Sequence, residues 1–552
     1  MKKPSQSPHV SPQTPLASGM GFASTAAADL LVLLQNQTQY IQSLETNLNQ
    51  LTVENARLKS LEIENERLKH ALLHHQRMRF GTKSEAFNTP QQDLFAEDWA
   101  ADEADLQQQL EHVAEQTQPQ NTPKAKRPRA GRQALPAHLT RIDVRHEPAS
   151  CTCGDCGRAL TLIRDEVVEK LDVIPAQFHV MRHIYPQMAC RACETIAAPP
   201  SEASVIQGGL ASARLLAWII VSKFADHLPL YRLEQIAARQ QVPLPRSTLS
   251  SWVGLVGYAL GELVERLVKM LLQRAVLHAD ETPVQQLDPK AKLSGTKKAY
   301  LWAYRSNSLD SQDPIVVFDY QGNREGRHVR AFLGDWQGHL VVDDYGGYKA
   351  LFEATNTEGK RLRTEVGCWA HIRRKFFEVH VKTKHPIAAE ALRRIQCLYA
   401  IEREAQEQNL STVQRQALRV EKSVPILLAF EVWLKEQTHC VAPSSGLAQA
   451  LAHALKRWPS LVVYAQTGDV PIDNNPVENS IRPIAVGKKN WLFAGSERAG
   501  QRAAAIQSLL ATAKLNGLEP LAWLTDTLEK LPTWPKSRLD ELLPLRSMAK
   551  KG

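Results

Sequence analysis

Ala275-Val276-Leu277-His278-Ala279-Asp280-Glu281-Thr282-Pro283 is a short apolar run that delivers a carboxylate where a proline is expected to stop a strand. Downstream, His339-Leu340-Val341-Val342-Asp343-Asp344-Tyr345-Gly346-Gly347-Tyr348 repeats the arrangement, closed this time by two glycines. Side chains alternate along a strand, so Val276, His278 and Asp280 share one face, and Val341 shares a face with Asp343. Carboxylates ending two neighbouring strands sit close enough to share a divalent metal. Between them residues 299–304 and 314–320 read as strands, and 324–336 as helix and loop. A third acid, Glu478, stands in Ile472-Asp473-Asn474-Asn475-Pro476-Val477-Glu478-Asn479-Ser480-Ile481-Arg482-Pro483. Asp, Asp and then a distant Glu on a helix is the pattern of a two-metal phosphoryl-transfer site. The same Glu478 also completes a capping box with Asn475 as N-cap and Pro476 at the first helical position, in which case it only closes a helix start.

The 552 residues leave room for several domains and a large core. A formal charge of +9, from 67 basic and 58 acidic residues, suits a polyanionic partner without identifying one. Met1-Lys2-Lys3 is followed by polar and proline-rich residues where an export signal needs an apolar stretch, and the run at 215–221 is too short to span a bilayer. A soluble cytoplasmic protein with no membrane contact is expected.

Residues 1–28 are rich in Ser, Pro, Thr and Ala and are expected to lack structure. From 29 to 87, Ile41, Leu44, Leu48, Leu51, Asn55 and Leu58 recur at spacings of three and four. Leu61, Asn65, Leu68 and Leu72 continue the series after one extra three-residue step. This predicts a coiled coil that joins copies of the chain; the alternative is one amphipathic helix packing on its own chain. Residues 88–135 pass from an acidic half to the basic run at 123–132 and read as a charged linker, with the basic run either touching phosphates or simply solvated.

Cys153-Gly154-Asp155-Cys156 and Cys190-Arg191-Ala192-Cys193 make two C-x-x-C knuckles flanking a strand-like run at 180–188. Four thiolates from two knuckles form a closed structural zinc site, so residues 136–200 read as a zinc ribbon. Cys151 competes with Cys153 for the first position, and Cys153 is favoured because it completes the knuckle. Residues 205–272 read as all helix. Within them, 233–238, a turn at 241–245 and a helix from Ser247 resemble a helix-turn-helix, with Ser247 as N-cap, which either reads DNA or is a helix pair that does not touch it.

Past Tyr348, residues 360–375 carry six basic side chains against one acid. Alone they could be a helix with a solvated basic face; beside an acidic metal site they read as backbone-phosphate contacts. His371 and Arg374, one helical turn apart and flanked by Arg373 and Lys375, would face DNA together; the alternative is a buried histidine beside a surface arginine. Residues from about 383 to 465 are helical and separate the second acid from the third, as an insertion would. Lys488, Lys489 and Arg498 follow in a basic and aromatic stretch suited to phosphates, and Trp491 reads as a core aromatic. Residues 501–545 are expected to be helical.

Taken in order, these motifs resemble the insertion-sequence-sixty-six family of bacterial DDE transposases over about residues 30 to 545. The likeness rests on Arg79-Phe80-Gly81-Thr82-Lys83-Ser84-Glu85, the paired cysteines, and Ser222-Lys223-Phe224-Ala225-Asp226-His227-Leu228-Pro229-Leu230-Tyr231-Arg232. It continues through His278-Ala279-Asp280-Glu281-Thr282, Asp343 to Tyr348, and Cys368-Trp369-Ala370-His371 with Arg373-Arg374-Lys375. It closes on Asp473-Asn474-Asn475-Pro476-Val477-Glu478 and Lys489-Asn490-Trp491-Leu492-Phe493-Ala494-Gly495. The resemblance implies a multidomain α/β protein whose RNase H-like mixed sheet, at 273–500, hydrolyses DNA phosphodiesters and transfers strands at transposon ends.

In that reading Asp280, Asp343 and Glu478 hold two Mg²⁺ (or Mn²⁺) ions about 3.5–4 Å apart, and no covalent enzyme–DNA intermediate is needed. Double-stranded DNA is the partner, as terminal inverted repeats and target, with Arg482 joining His371, Arg373, Arg374, Lys375, Lys488, Lys489 and Arg498 as contacts. Accessory proteins of the same element are expected, as is nucleoid association when DNA is bound. Where the family has Asp-Gly-Tyr this chain has Asp343-Asp344-Tyr345, and alignment on Tyr345 and Tyr348 makes Asp343 the ligand. Two other readings stand beside it: a DNA-binding protein with a dead core, and a nuclease that cuts without joining.

Overall fold

The computed structural model describes residues 22–80, Gln109, and residues 135–549 apart from short stretches at 136, 138, 147–150, 154, 175–176, 289–294, 356–358 and 360. Most of the charged linker expected at 88–135, with its basic run, and residues 1–21 lie outside the described residues.

One helix, α1 (Phe22–Phe80), covers the leucine-repeat segment. It begins inside the stretch expected to lack structure, because Ala26, Ala27 and Ala28 favour helix over the Ser- and Pro-rich sequence before them. Its repeat side chains Ile41, Leu44, Leu48, Leu51, Leu58, Leu61 and Leu68 are all exposed, between 48% and 65%.

Next comes a four-stranded sheet of β1 (Arg141–Arg145), β2 (Thr161–Ile174), β3 (Gln177–Ala189) and β4 (Ile196–Ala197). β2 and β3 form a long antiparallel hairpin in which Thr161 pairs with Ala189, while β1 joins β3 in parallel. That register brings the knuckle before β2 level with the knuckle after β3, which is how cysteines far apart in sequence meet.

Four helices follow: α2 (Ala213–Phe224), α3 (Leu230–Arg239), α4 (Arg246–Ala259) and α5 (Gly261–Leu271). The expected N-cap at Ser247 is corrected to Pro245, whose φ of −60° already suits the turn, so the cap stands two residues earlier. α4 buries Leu249, Ser250, Trp252, Val253 and Val256. Beyond its first turn it is therefore a core helix, while Arg246 ties that turn to Glu234 at 2.7 Å.

The central sheet has the order β7–β6–β5–β8–β9, made of β5 (Val276–Leu287), β6 (Thr296–Ser306), β7 (Val316–Gln321), β8 (Gly338–Val342) and β9 (Arg363–Gly367). β5, β6 and β7 are antiparallel; β8 runs parallel to β5, and β9 parallel to β8. Between β7 and β8 lies α6 (Gly326–Leu333), and α7 (Lys349–Glu353) precedes β9.

Two expectations are corrected. β5 does not stop at Pro283 but runs to Leu287. It pairs with β8 only as far as His278, and Ala494 takes up the same flank only from Gln285 on, so between them lies an edge where a residue without N–H is tolerated. The Pro283 carbonyl on that flank accepts from Lys488 Nζ at 2.8 Å. The basic segment at 360–375 opens not as helix but as β9, with Arg363 buried beside the Gly334 carbonyl, before α8 (Trp369–Thr383) begins.

The sheet is covered on both faces. Leu277, Ala279, Trp302, Tyr304, Leu340 and Val342 pack with α2–α5, whereas Val276, Val341 and Val366 pack under the helical insertion. That insertion comprises α9 (Pro386–Glu407), α10 (Thr412–Leu418), α11 (Val424–Thr438) and α12 (Gly446–Leu461). α13 (Asn475–Trp491) and α14 (Glu497–Leu515) lie over Val284, Leu301, Val316 and Phe318 on the same face. Ser508 and Thr512 of α14 accept the N–H groups of Phe318 and Val316, which closes the free edge of β7. α15 (Pro520–Lys530) and α16 (Arg546–Ala549) complete the chain. Among the described residues no helix is long and apolar enough to cross a membrane.

Candidate active site

Alternation along β5 places Val276, His278 and Asp280 toward the face that carries α13. Parallel pairing of His278 with Val341 carries Asp343, two residues on, alongside Asp280. Glu478 reaches the same place from the first turns of α13. Its helix does not begin with the expected capping box. Asn474 is the N-cap, one residue earlier than expected, and makes no side-chain cap bond. Its amide is spent on β5 instead: Nδ2 donates to the Ala279 carbonyl at 2.9 Å, and Oδ1 accepts from His278 Nδ1 at 2.9 Å. This docking fixes where Glu478 stands relative to Asp280.

Asp280 senses the acids around it. Burial, followed by the charges of Glu281, Asp343 and Glu478, pushes the Asp280 carboxyl up to about 8. A crowd of carboxylates on a half-dry surface is a fit for a divalent cation, whose charge would offset the repulsion. The trio is looser than the clusters whose ligand atoms all lie within 4.8 Å, which among the described residues are the four ribbon cysteines, His146–His183–Glu202 and Cys368–His371–Glu478.

Asp343 and its neighbour are separated by their partners. Asp343 Oδ1 accepts the Tyr345 N–H at 2.9 Å. Asp344 turns instead to the insertion, where His453, Lys456 and Arg457 of α12 lie 3.5, 3.8 and 3.4 Å from its carboxylate. The insertion also touches the start of α13, since Tyr399 donates to Asp473 at 2.8 Å.

Sequence reasoning missed a further group beside Asp280. Glu281 is buried, pairs with Arg324 and accepts the Tyr348 hydroxyl at 2.9 Å. Arg324 in turn lies over the Tyr345 ring, 3.7 Å from its centroid. Glu281, Arg324, Tyr345 and Tyr348 thus brace the loop that carries Asp343. The signal available in the sequence was the Asp-Glu pair at 280–281, which alternation sends to opposite faces.

Of the residues expected at DNA, His371 and Arg374 turn toward Glu478, at 3.6 and 3.5 Å. Arg373, Lys375, Arg482 and Lys489 are exposed, Arg498 is half-buried, and Lys488 is held on the Pro283 carbonyl. Trp491 is half-buried against the Val284–Phe318 cluster.

The four ribbon cysteines converge into one cluster. Cys153 Sγ lies 3.4 Å from Cys193 Sγ, Cys156 Sγ 3.4 Å from Cys190 Sγ and 3.5 Å from Cys193 Sγ. Four sulfurs about 2.3 Å from a tetrahedral zinc stand roughly 3.8 Å apart, so a small expansion fits the ion. Cys151 is exposed and outside the cluster.

Residues 208–502 match the family described as "Transposase IS66 family", and residues 508–545 the "IS66 C-terminal element". Residues 150–194 match the "zinc-finger binding domain of transposase IS66", and residues 67–144 "Transposase C of IS166 homeodomain". The uncharacterized protein y4qI of Sinorhizobium fredii is 35% identical over 475 residues, which cover 84% of this chain and 86% of that protein. Another from the same organism, y4jD, is 36% identical over 416 residues, covering 74% of this chain and 81% of its own length.

Proposed function

Because the chain belongs to the IS66 transposase family, we propose that it is an active DDE transposase, which hydrolyses and transfers DNA strands at the ends of an insertion sequence. We read the five-stranded sheet, with its last two strands parallel to its first, as an RNase H-like core. The observation that carries the proposal is the convergence of Asp280, Asp343 and Glu478 on one sheet face, with Asp280 raised to about 8 by burial and its acidic neighbours.

In this reading the three carboxylates hold two Mg²⁺ ions. When bound, these ions supply Lewis acidity toward the scissile phosphate and charge for the attacking and leaving oxygens. The chain's own residues do the positioning. Asn474 seats the helix that carries Glu478, and His278 stays neutral, since burial lowers it to about 4. Glu281, Arg324 and Tyr348 hold the Asp343 loop. Exposed Arg373, Lys375, Arg482 and Lys489 take backbone phosphates of the terminal repeats and of target DNA. His371 and Arg374 flank Glu478 at the entrance. Zinc among the four ribbon cysteines staples that domain. The exposed leucine face of α1 pairs with that of another copy, which makes a homo-oligomer able to hold two DNA ends. Such a protein works in the bacterial cytoplasm, on the nucleoid when DNA is bound, with accessory proteins of its element.

The test is a cleavage and joining assay on terminal-repeat DNA with Mg²⁺. Joined products that vanish in Asp343→Asn support the proposal. Cleavage without joining makes the protein a nuclease, and neither product under any divalent ion leaves a DNA-binding protein.

A further inference from the structure

We propose that Cys368, His371 and Glu478 form a second metal site, for a single thiophilic divalent ion of the zinc type. Filling it withdraws Glu478 from the three-acid centre. The second statement rests on the reading of Glu478 as a magnesium ligand; the first does not.

Three segments build this site. β9 ends at Gly367 and Cys368 caps α8, with its Sγ buried and accepting the Asn474 N–H at 3.2 Å. His371 stands one turn further along α8, and Glu478 comes from α13. One ligand atom from each residue falls within a single 4.8 Å cluster. The second observation is that His371 and Glu478 each carry an orphaned ligand atom. His371 Nδ1 and Glu478 Oε1 are both buried without a hydrogen-bond partner, although they face each other at 3.6 Å. That gap is too long for a hydrogen bond. It is close to the roughly 3.4 Å between a nitrogen and an oxygen each about 2.1 Å from one tetrahedral ion. The other carboxylate oxygen of Glu478 is held by Arg374 at 3.5 Å, which aims Oε1 at the histidine.

The donor set selects the ion. Magnesium takes oxygen ligands in near-octahedral geometry, whereas a thiolate with an imidazole and one carboxylate favours zinc or cobalt. Binding deprotonates Cys368: the sulfur–metal bond forms as the S–H bond breaks, the proton goes to solvent, and nothing is oxidised or reduced. Water completes the fourth position. Because Glu478 is the one side chain shared by this ligand set and the three-acid centre, it serves one centre at a time.

The experiment uses the full chain with one zinc in the ribbon and no magnesium, titrated with Co²⁺ while retained zinc is measured in the same sample. A sulfur-to-cobalt charge-transfer band is expected at one added cobalt per chain with the zinc retained. Cys368→Ser should abolish the band, His371→Ala should weaken cobalt binding at least about tenfold, and Cys440→Ser should leave it as in the wild type. No band with zinc retained, or an equal band in Cys368→Ser, overturns the proposal. A second arm measures DNA cleavage against added zinc at fixed Mg²⁺, each variant relative to its own zinc-free rate. Inhibition relieved by more Mg²⁺, with a midpoint moved at least about tenfold in Cys368→Ser, supports competition for Glu478. An unmoved midpoint overturns it. A wild type that never cleaves fails the transposase reading while the cobalt result still decides the metal site.

Discussion

His278 Nδ1 donates to Asn474 Oδ1 across 2.9 Å, joining a residue near the start of β5 to the N-cap of α13, 196 positions later. The direction of the bond follows from the other end of the amide, whose Nδ2 donates to Ala279 and so leaves Oδ1 as acceptor. Through this bond the strand that carries Asp280 fixes the helix that carries Glu478.

Asn474→Ala orphans a buried imidazole N–H and a strand carbonyl. The expected cost is about 1–3 kcal/mol of stability, read by thermal or denaturant unfolding. A larger fractional loss of metal-dependent cleavage should accompany it, because α13 loses its seat. Wild-type activity in Asn474→Ala would show that Glu478 needs no such seat.

His278 also sets an acid limit. Burial lowers it to about 4, so the folded protein holds it neutral while the unfolded chain titrates near 6.5. A lowered histidine contributes stability that is present above about pH 6.5 and lost as pH falls toward 4. Unfolding midpoints across this window should drop in the wild type, and drop less in His278→Gln.

Asp280 runs the other way. Its carboxyl is raised from 3.8 to about 8, so in the metal-free protein its contribution is fully present below about pH 3.8 and is lost as pH rises through 8. Two outcomes are expected. The Mg²⁺ concentration for half-maximal cleavage should fall as pH rises toward 8, since metal displaces the proton. Asp280→Asn should abolish cleavage yet stabilise the metal-free protein by about 0.5–2 kcal/mol near pH 8, measured by unfolding without divalent ions.

At the ribbon, one zinc per chain is expected by elemental analysis, with Cys153→Ser losing it and Cys151→Ser keeping it. Sulfurs already 3.4–3.5 Å apart in the cluster, with Cys151 outside it, give that ordering. A full zinc content in Cys153→Ser would put Cys151 in its place.

The strands that carry Asp280 and Asp343 were legible because apolar alternation and terminal acids are local signals. β9 was not, because Arg361 and Arg363 gave it the look of a solvated face, whereas Arg363 is in fact buried against Gly334. Pro283 misled in the same way: its missing N–H is harmless only because pairing with the neighbouring strand ends at His278, which is a tertiary fact. The N-terminus of α13 was misplaced by one residue, since Asn474 answers to His278 and not to its own helix. Likewise His371 spends its reach on Glu478 and not outward, and Glu281 meets Arg324 only once the loop after β7 has folded back. Each of these depends on a partner far away in the chain.

The most direct measurement is manganese anomalous scattering from crystals of the full chain grown without magnesium and soaked in Mn²⁺. Manganese peaks are expected within ligand distance of all three of Asp280, Asp343 and Glu478, with Glu478 drawn from His371 and Arg374. Manganese on the two aspartates alone, with Glu478 still held by His371 and Arg374, would contradict this.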